Sequence, residues 1–444
     1  MTAGVALAHP HKRIWAIAGP AIIANSAAPL VGLVDTWVIG HLPGAAYLAA
    51  VSVGAMIFSY LSWAFGFLRM STTGLVAQAH GRDDSDQVAR VMTRALLTAL
   101  VIGSLIVLLQ GPIYHLVLRA IDPPSDTVGL FEAYFDIRVW AVPAALIAYC
   151  ITGYLIGTAQ ATKALYVQLV LNITNGVLNL VFVLGLGLGV SGVALGSLIA
   201  EWLAALVGLA FVARGLGAGT LIKAAMSRVT YDMAKMKKLL SVNGYIFMRT
   251  LLLILAFALM TREAAALGKV PLAANHVLST FLILIALGLD GFAYAAEALS
   301  GAAFGRNSRG EFRAWVRYGL IWSAIAAVIY TAGFALFGAP IIRALTDIEP
   351  VRAAAIEALP VLALLPVVAF WCYLYDGIYI GATAGGAMLG TVAVAAFCFL
   401  VVLYPLTDRY GLVGLWVAMA VFNGMRGLAQ AVYYPRIERR LTGD

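Results

Sequence analysis

Charge is scarce in this sequence: Asp, Glu, Lys and Arg make up only 11% of its 444 residues, and 62% are hydrophobic. Soluble domains carry about one quarter charged residues, so a water-exposed globule is excluded. Cysteine is scarcer still. Cys150, Cys372 and Cys398 all fall inside apolar runs, which removes a disulfide framework or a cysteine-based zinc site from consideration. The sequence has no Walker A phosphate loop and no His-Glu-x-x-His, so the residues for direct ATP use or zinc proteolysis are missing. No polar stretch is long enough for a soluble domain. The longest, 215–237, carries Lys223, Arg228, Lys235 and Lys237 and reads as a cytoplasmic connector, with an amphipathic segment lying on anionic headgroups as the alternative.

What is present is a series of apolar runs. Twelve occur, at 14–40, 46–78, 90–118, 128–158, 164–187, 191–213, 238–262, 271–304, 314–345, 353–381, 386–405 and 411–434. About 20 apolar residues cross a hydrocarbon core of about 30 Å as a helix. Lipid offers the backbone no hydrogen-bond partner, and the alternation of barrel strands is missing, so the expected fold is an all-α polytopic membrane protein.

The chain also matches itself. Leu48-Ala49-Ala50 falls over Leu272-Ala273-Ala274, Gly81-Arg82 over Gly305-Arg306, and Gly153-Tyr154-Leu155-Ile156-Gly157 over Gly377-Ile378-Tyr379-Ile380-Gly381, all at an offset of 224. Gly189 and Gly192 fall over Gly411 and Gly414 at 222. Two six-helix halves follow, with an N-terminal lobe at 1–214, the linker at 215–237 and a C-terminal lobe at 238–444. Repeated halves in an apolar chain point to a transporter whose site lies near the repeat interface.

The formal net charge of +8 does not indicate nucleic acid, because the basic residues alternate with the spans. With the N-terminus placed in the cytoplasm, 19 basic residues fall in inside segments, 6 outside and 4 within spans, which puts both termini inside. Lys12-Arg13 followed by an apolar run imitates a signal peptide, but the run continues to Gly40 and the repeat needs it as an uncleaved first span.

Ionisable groups within spans are costly to insert and mark function or structural pairing. At a rise of about 1.5 Å per residue, Asp35 lies about 8 Å below the outer face, Ser197 about 9 Å, Asn179 about 12 Å and Asn175 about 18 Å. The four are expected to converge. Gln168, Asn172, Asn175 and Asn179 are spaced by four, three and four, so they form an amide stripe on one helix face. Such a stripe serves equally to bond neighbouring helices. In the second half the depths pair Arg249 with Asp290 and Asp376 with Arg426, and Arg69 with Glu201 in the first. An acid paired with arginine stays ionised and carries no proton. Asp35 has no cation at its depth, and is the candidate to take up and release a proton or to hold a small cation with the amides. Glu297 is assigned to structure or gating. Pro20 and Pro29 free carbonyls in the first span and allow a bend, where the aligned residues are Gly244 and Leu253.

These residues resemble a family. Asp35 within Gly32-Leu33-Val34-Asp35-Thr36, together with Asn175 and Asn179 in a chain of twelve repeated spans, is similar to the multidrug and toxic compound extrusion (MATE) family. Phe67-Leu68-Arg69-Met70-Ser71-Thr72-Thr73-Gly74-Leu75, Leu289-Asp290-Gly291-Phe292 and Asp376-Gly377-Ile378-Tyr379-Ile380-Gly381 resemble its DNA-damage-inducible F branch. The resemblance implies two pseudo-symmetric lobes around a central cleft in a bacterial inner membrane. It further implies a monomer without a cofactor that exports cationic or amphipathic drug-like compounds by antiport. Coupling would run through Asp35 with Asn175, Asn179 and Ser197, with Gln168 and Asn172 in the stripe facing the cleft and Pro20 as the bend. Asn179 stands where some members carry a second Asp, which favours protons over sodium bound at Asp35 and Asn175.

Two other functions are weighed. A flippase of related architecture for lipid-linked or polyanionic substrates would need several unpaired Arg or Lys in its cavity, and most of the four arginines within the spans have acids at matching depth. An intramembrane enzyme is the third reading. Gly189-Val190-Ser191-Gly192 imitates a serine protease motif, but its repeat at Gly411 and Gly414 makes it a turn, and Tyr375-Asp376 has no second aspartyl motif.

Overall fold

The computed structural model of the chain describes residues 9–40, 42, 44–122 and 124–443, with backbone alone at 28–31, 33–36 and 120. Its described elements are helices, as lipid requires of a buried backbone. In chain order they are α1 Pro10–Gly40, α2 Ala45–Phe65, α3 Phe67–Gly81, α4 Ser85–Leu108, α5 Gln110–Ile121, α6 Ser125–Arg138, α7 Val142–Gly157 and α8 Ala161–Asn179. They continue with α9 Gly189–Leu216, α10 Ala218–Met226, α11 Met233–Leu267, α12 Lys269–Gly305, α13 Arg309–Leu345, α14 Glu349–Gly381 and α15 Gly385–Glu438.

The twelve expected spans are found among them. Ten segments of the described residues are long and apolar enough to cross a membrane. One of these, α15, is two spans joined at Gly411, whose φ of 56° no continuous helix adopts. The first span, α1, completes the set. Gly189 has φ 55° at the position over Gly411, so the imitation serine motif is the same left-handed turn used twice.

The helices pack into two compact units, Ile23–Leu239 and Leu240–Asp444, the latter joined by the chain up to Ile22. In the first unit α7 packs against α3, α4 and α9, and in the second α14 packs against α12, α13 and α15. The start of α1 belongs to the second unit because Gly291 on α12 receives Ala18 and Ile22, and Trp15 sets its edge against Phe292 and Trp322. Outward residues such as Leu108, Leu116, Leu336 and Phe397 are exposed and apolar, as a lipid-facing surface requires.

The duplication is visible at atomic detail in one helix crossing. A Cβ on Gly153 would lie 2.6 Å from the Arg69 carbonyl oxygen, and one on Gly157 would lie 2.8 Å from that of Thr73. At the same offset, Gly377 faces the carbonyl of Ala293 and Gly381 that of Glu297. In both units a Gly-x-x-x-Gly pair lets two backbones meet, the small-residue packing that holds helices together in lipid. Gly377→Val is therefore expected to destabilise the fold by about 1–3 kcal/mol through overpacking. Thermal unfolding in detergent checks this, with Gly390→Val as the control because a Cβ there meets nothing within 4 Å.

Candidate functional site

The amide stripe lies on α8, and hydrogen bonds link its members. Gln168 Nε2 donates to Asn172 Oδ1 at 3.0 Å, and Asn179 Nδ2 donates to Asn175 Oδ1 at 3.3 Å. Asn175 Nδ2 in turn donates to Ser197 Oγ on α9 at 2.9 Å. Three of the four expected coupling residues are thus joined in one ladder between two helices. Their spacing of four puts successive amides one above the other, and Gly196 admits Asn179, because a Cβ there would overlap the Asn179 Oδ1. Asn172, Asn175 and Asn179 are all buried. Immediately after Asn179 the helix widens into a π-turn over Leu180–Gly185, a feature frequent at functional sites.

Asp35, the fourth expected member, lies on α1 with its side chain outside the described residues. Pro20 lies on the same helix, which runs without interruption from Pro10 to Gly40. The groups described in the ladder are uncharged: amides donate and accept, and the hydroxyl does both. Such a set hydrogen-bonds either protonation state of a carboxylate and supplies oxygen ligands to a small cation. Among the described residues no cluster of three or more His, Cys, Asp or Glu is arranged to hold a metal.

The acid on the same unit's α9, Glu201, takes Arg138 at 3.4 Å. The expected partner was Arg69; α6 packs on α9, whereas α3 packs on α4 and α7. Arg138 also stands over the Phe58 ring at 5.3 Å.

The second unit builds a different kind of polar site. Arg426 Nη2 donates to Asp376 Oδ2 at 2.7 Å, and Gln430 Nε2 donates to Oδ1 at 2.6 Å. Arg249 Nη2 on α11 donates to the same Oδ2. The expected Asp376–Arg426 pair is found. Arg249, expected to meet Asp290, is instead drawn into this cluster, with the Asp290 charge still acting on it. Depth along the membrane does not fix helix rotation, and a long arginine reaches a carboxylate several ångströms above or below its own Cα. Arg426 lies over Tyr373 at 5.6 Å and extends to Asn423, which also accepts from Cys372 Sγ. Gln430 was not among the expected residues, although its place four residues after Arg426 puts it on the same helix face. Glu297 is buried on α12, where its carbonyl meets Gly381.

The two sites thus differ in kind. In the second unit, a carboxylate accepts from two guanidinium groups and an amide. In the first, the described groups form a neutral ladder.

The MatE family model matches residues 20–182 and again 246–407, one copy in each half. The chain is 39% identical to DNA damage-inducible protein F of Escherichia coli (strain K12), over 97% of this chain and 93% of that protein. It is 27% identical to the chloroplastic protein DETOXIFICATION 44 of Arabidopsis thaliana, over 94% and 81%. Among solved structures, an outward-facing multidrug resistance MATE family transporter of the MOP superfamily aligns with TM-score 0.87 at 20% identity, covering 100% of this chain and 99% of that one.

Proposed function

The chain belongs to the MATE family of transporters, and from that membership we propose that it exports cationic or amphipathic organic compounds by antiport with protons, Asp35 being the coupling carboxylate. It is a multi-pass membrane protein; the proposal places it in a bacterial inner membrane with both termini in the cytoplasm. The observation that carries the coupling assignment is the contrast between the units. Asp376 of the second unit accepts from Arg249, Arg426 and Gln430, and freeing it for exchange would leave two buried guanidinium groups unpaired. Beside Asp35 in the sequence pattern stands a ladder of amides and a hydroxyl, Asn175, Asn179 and Ser197, that tolerates charge and neutrality alike.

Asn179 in place of a second acid leaves one ionisable group per site, which suits a proton better than a sodium ion stripped of its water. The flippase alternative is weakened by the second unit, where both arginines of the cluster are engaged by Asp376 and so offer no bare cation to an anionic substrate.

The test is transport of a lipophilic organic cation by the chain reconstituted in proteoliposomes, with pH and sodium gradients imposed separately. The expected result is accumulation driven by the proton gradient and indifferent to sodium. One proton moving through 100 mV releases about 2.3 kcal/mol, enough for roughly tenfold to hundredfold accumulation of a neutral substrate, whereas exchange for a monovalent cation is driven mainly by the pH gradient. Accumulation driven by sodium alone would assign the other ion.

A further inference from the structure

The ends of α3 and α4 in the first unit and of α12 and α13 in the second are copies down to the turn that joins them. Asp83 and Asn307, one offset apart, both take positive φ, 56° and 58°. Asp84 and Ser308 then cap the following helices, their side chains accepting from the backbone N–H groups of Gln87 and Glu311. With the backbones in register, residues 82, 87 and 91 correspond to 306, 311 and 315.

The side chains at these positions do not correspond. In the second unit Arg306 Nε donates to Glu311 Oε2 at 2.9 Å, and Trp315 Nε1 donates to Glu311 Oε1 at 3.1 Å. The basic residue is neutralised and a buried indole fills the space. In the first unit the matching residues are Gln87 and Val91. An amide has replaced the carboxylate and a small side chain the indole, and a cavity of ≈ 200 Å³ opens there.

Gln78, Arg82, Gln87 and Arg94 line this cavity from α3 and α4, and Lys235 and Lys238 from α11, with no carboxylate in the lining. Asp84 caps α4 and stands 3.8 Å from Arg90, while Asp232 accepts the backbone N–H groups of Ala234 and Lys235 and its charge also acts on Arg94. Arg94 is fixed in place. It is 3% exposed, and its Nε and Nη2 donate to the carbonyls of Thr230 and Val229 at 2.6 and 3.1 Å. These bonds clamp the short turn Arg228–Tyr231 onto α4 and leave Nη1 uncommitted to either carbonyl.

We propose that this cavity binds a phosphate oxyanion, supplied by the headgroup of an anionic phospholipid or by free phosphate. Four cations converge there with two amide donors, the chemistry that recognises a tetrahedral oxyanion. A ligand seated there ties the start of α11 to α3 and α4 and so braces the first unit at that turn.

The test uses the full chain and its thermal unfolding. In a neutral detergent, inorganic phosphate is titrated against chloride at matched ionic strength. In nanodiscs, phosphatidylcholine is compared with phosphatidylcholine containing phosphatidylglycerol. Stabilisation that rises with ligand reports binding to the folded state. The decisive variant is Gln87→Glu, which gives the first unit the carboxylate that Arg306 already has in the second. Lys235→Gln with Lys238→Gln is the companion. The expected result is stabilisation of the wild type by phosphate, phosphatidylglycerol or both, with each variant binding roughly tenfold or more weakly. A response to phosphate in detergent identifies the free ion as sufficient; a response to phosphatidylglycerol alone identifies the headgroup. No stabilisation beyond chloride and phosphatidylcholine, or an equal response from wild type and both variants, overturns the proposal.

Discussion

Asp376→Ala is expected to lose about 3–5 kcal/mol of stability, the cost of removing one partner from a buried ion pair. The loss falls at the upper end of that range because the carboxylate serves three donors at once, Arg249, Arg426 and Gln430, all of them buried. Taking it away leaves two guanidinium charges together in a low-dielectric interior, where like charges repel most strongly. Native proteins have only about 5–15 kcal/mol to lose, so a large share of molecules should unfold or aggregate on extraction into detergent. Asp376→Asn keeps an acceptor oxygen and should lose less, and combining it with Arg249→Met, which removes the surplus charge, should recover part of the difference. Thermal midpoints of the four proteins in one detergent check the series. An unchanged midpoint for Asp376→Ala would show that the cluster does not hold α11, α14 and α15 together.

Asp35→Asn should behave in the opposite way, keeping the fold and losing the work. The amide has the size of the carboxylate and hydrogen-bonds as a neutral group, so the thermal midpoint is expected to stay near that of the wild type. What disappears is the proton. With no group to carry it, the roughly tenfold to hundredfold accumulation that a proton gradient sustains collapses to equal concentrations on both sides of the vesicle membrane. Proteoliposomes under an imposed pH gradient check this. Stability loss with transport per folded molecule kept in Asp376→Ala, and transport loss with stability kept in Asp35→Asn, separates the structural carboxylate from the coupling one.

Much of this was legible in the residues themselves. The spans follow from run length, because lipid leaves a long apolar stretch no other fold, and the left-handed turns at Gly189 and Gly411 follow from the repeat. The ladder of Asn175, Asn179 and Ser197 was legible for a similar reason: spacing of three and four on a helix fixes which side chains face the same way. Charge pairing was less so. Depth counted along a helix brought Asp376 to Arg426, but gave Arg249 to Asp290 and Glu201 to Arg69, because depth says nothing of rotation or of which helices are neighbours. The basic cavity was less legible, because the halves agree through Gly81-Arg82 and differ in charge only five residues further, where Gln87 falls over Glu311.

The central claim is that the proton is carried in the first half of the chain, at Asp35, and not at the charged cluster of the second. Its most direct test is proton release from the purified protein in weakly buffered detergent solution when tetraphenylphosphonium is added, followed with a pH indicator. The account predicts release from the wild type and none from Asp35→Asn; release of equal size from Asp35→Asn would contradict it.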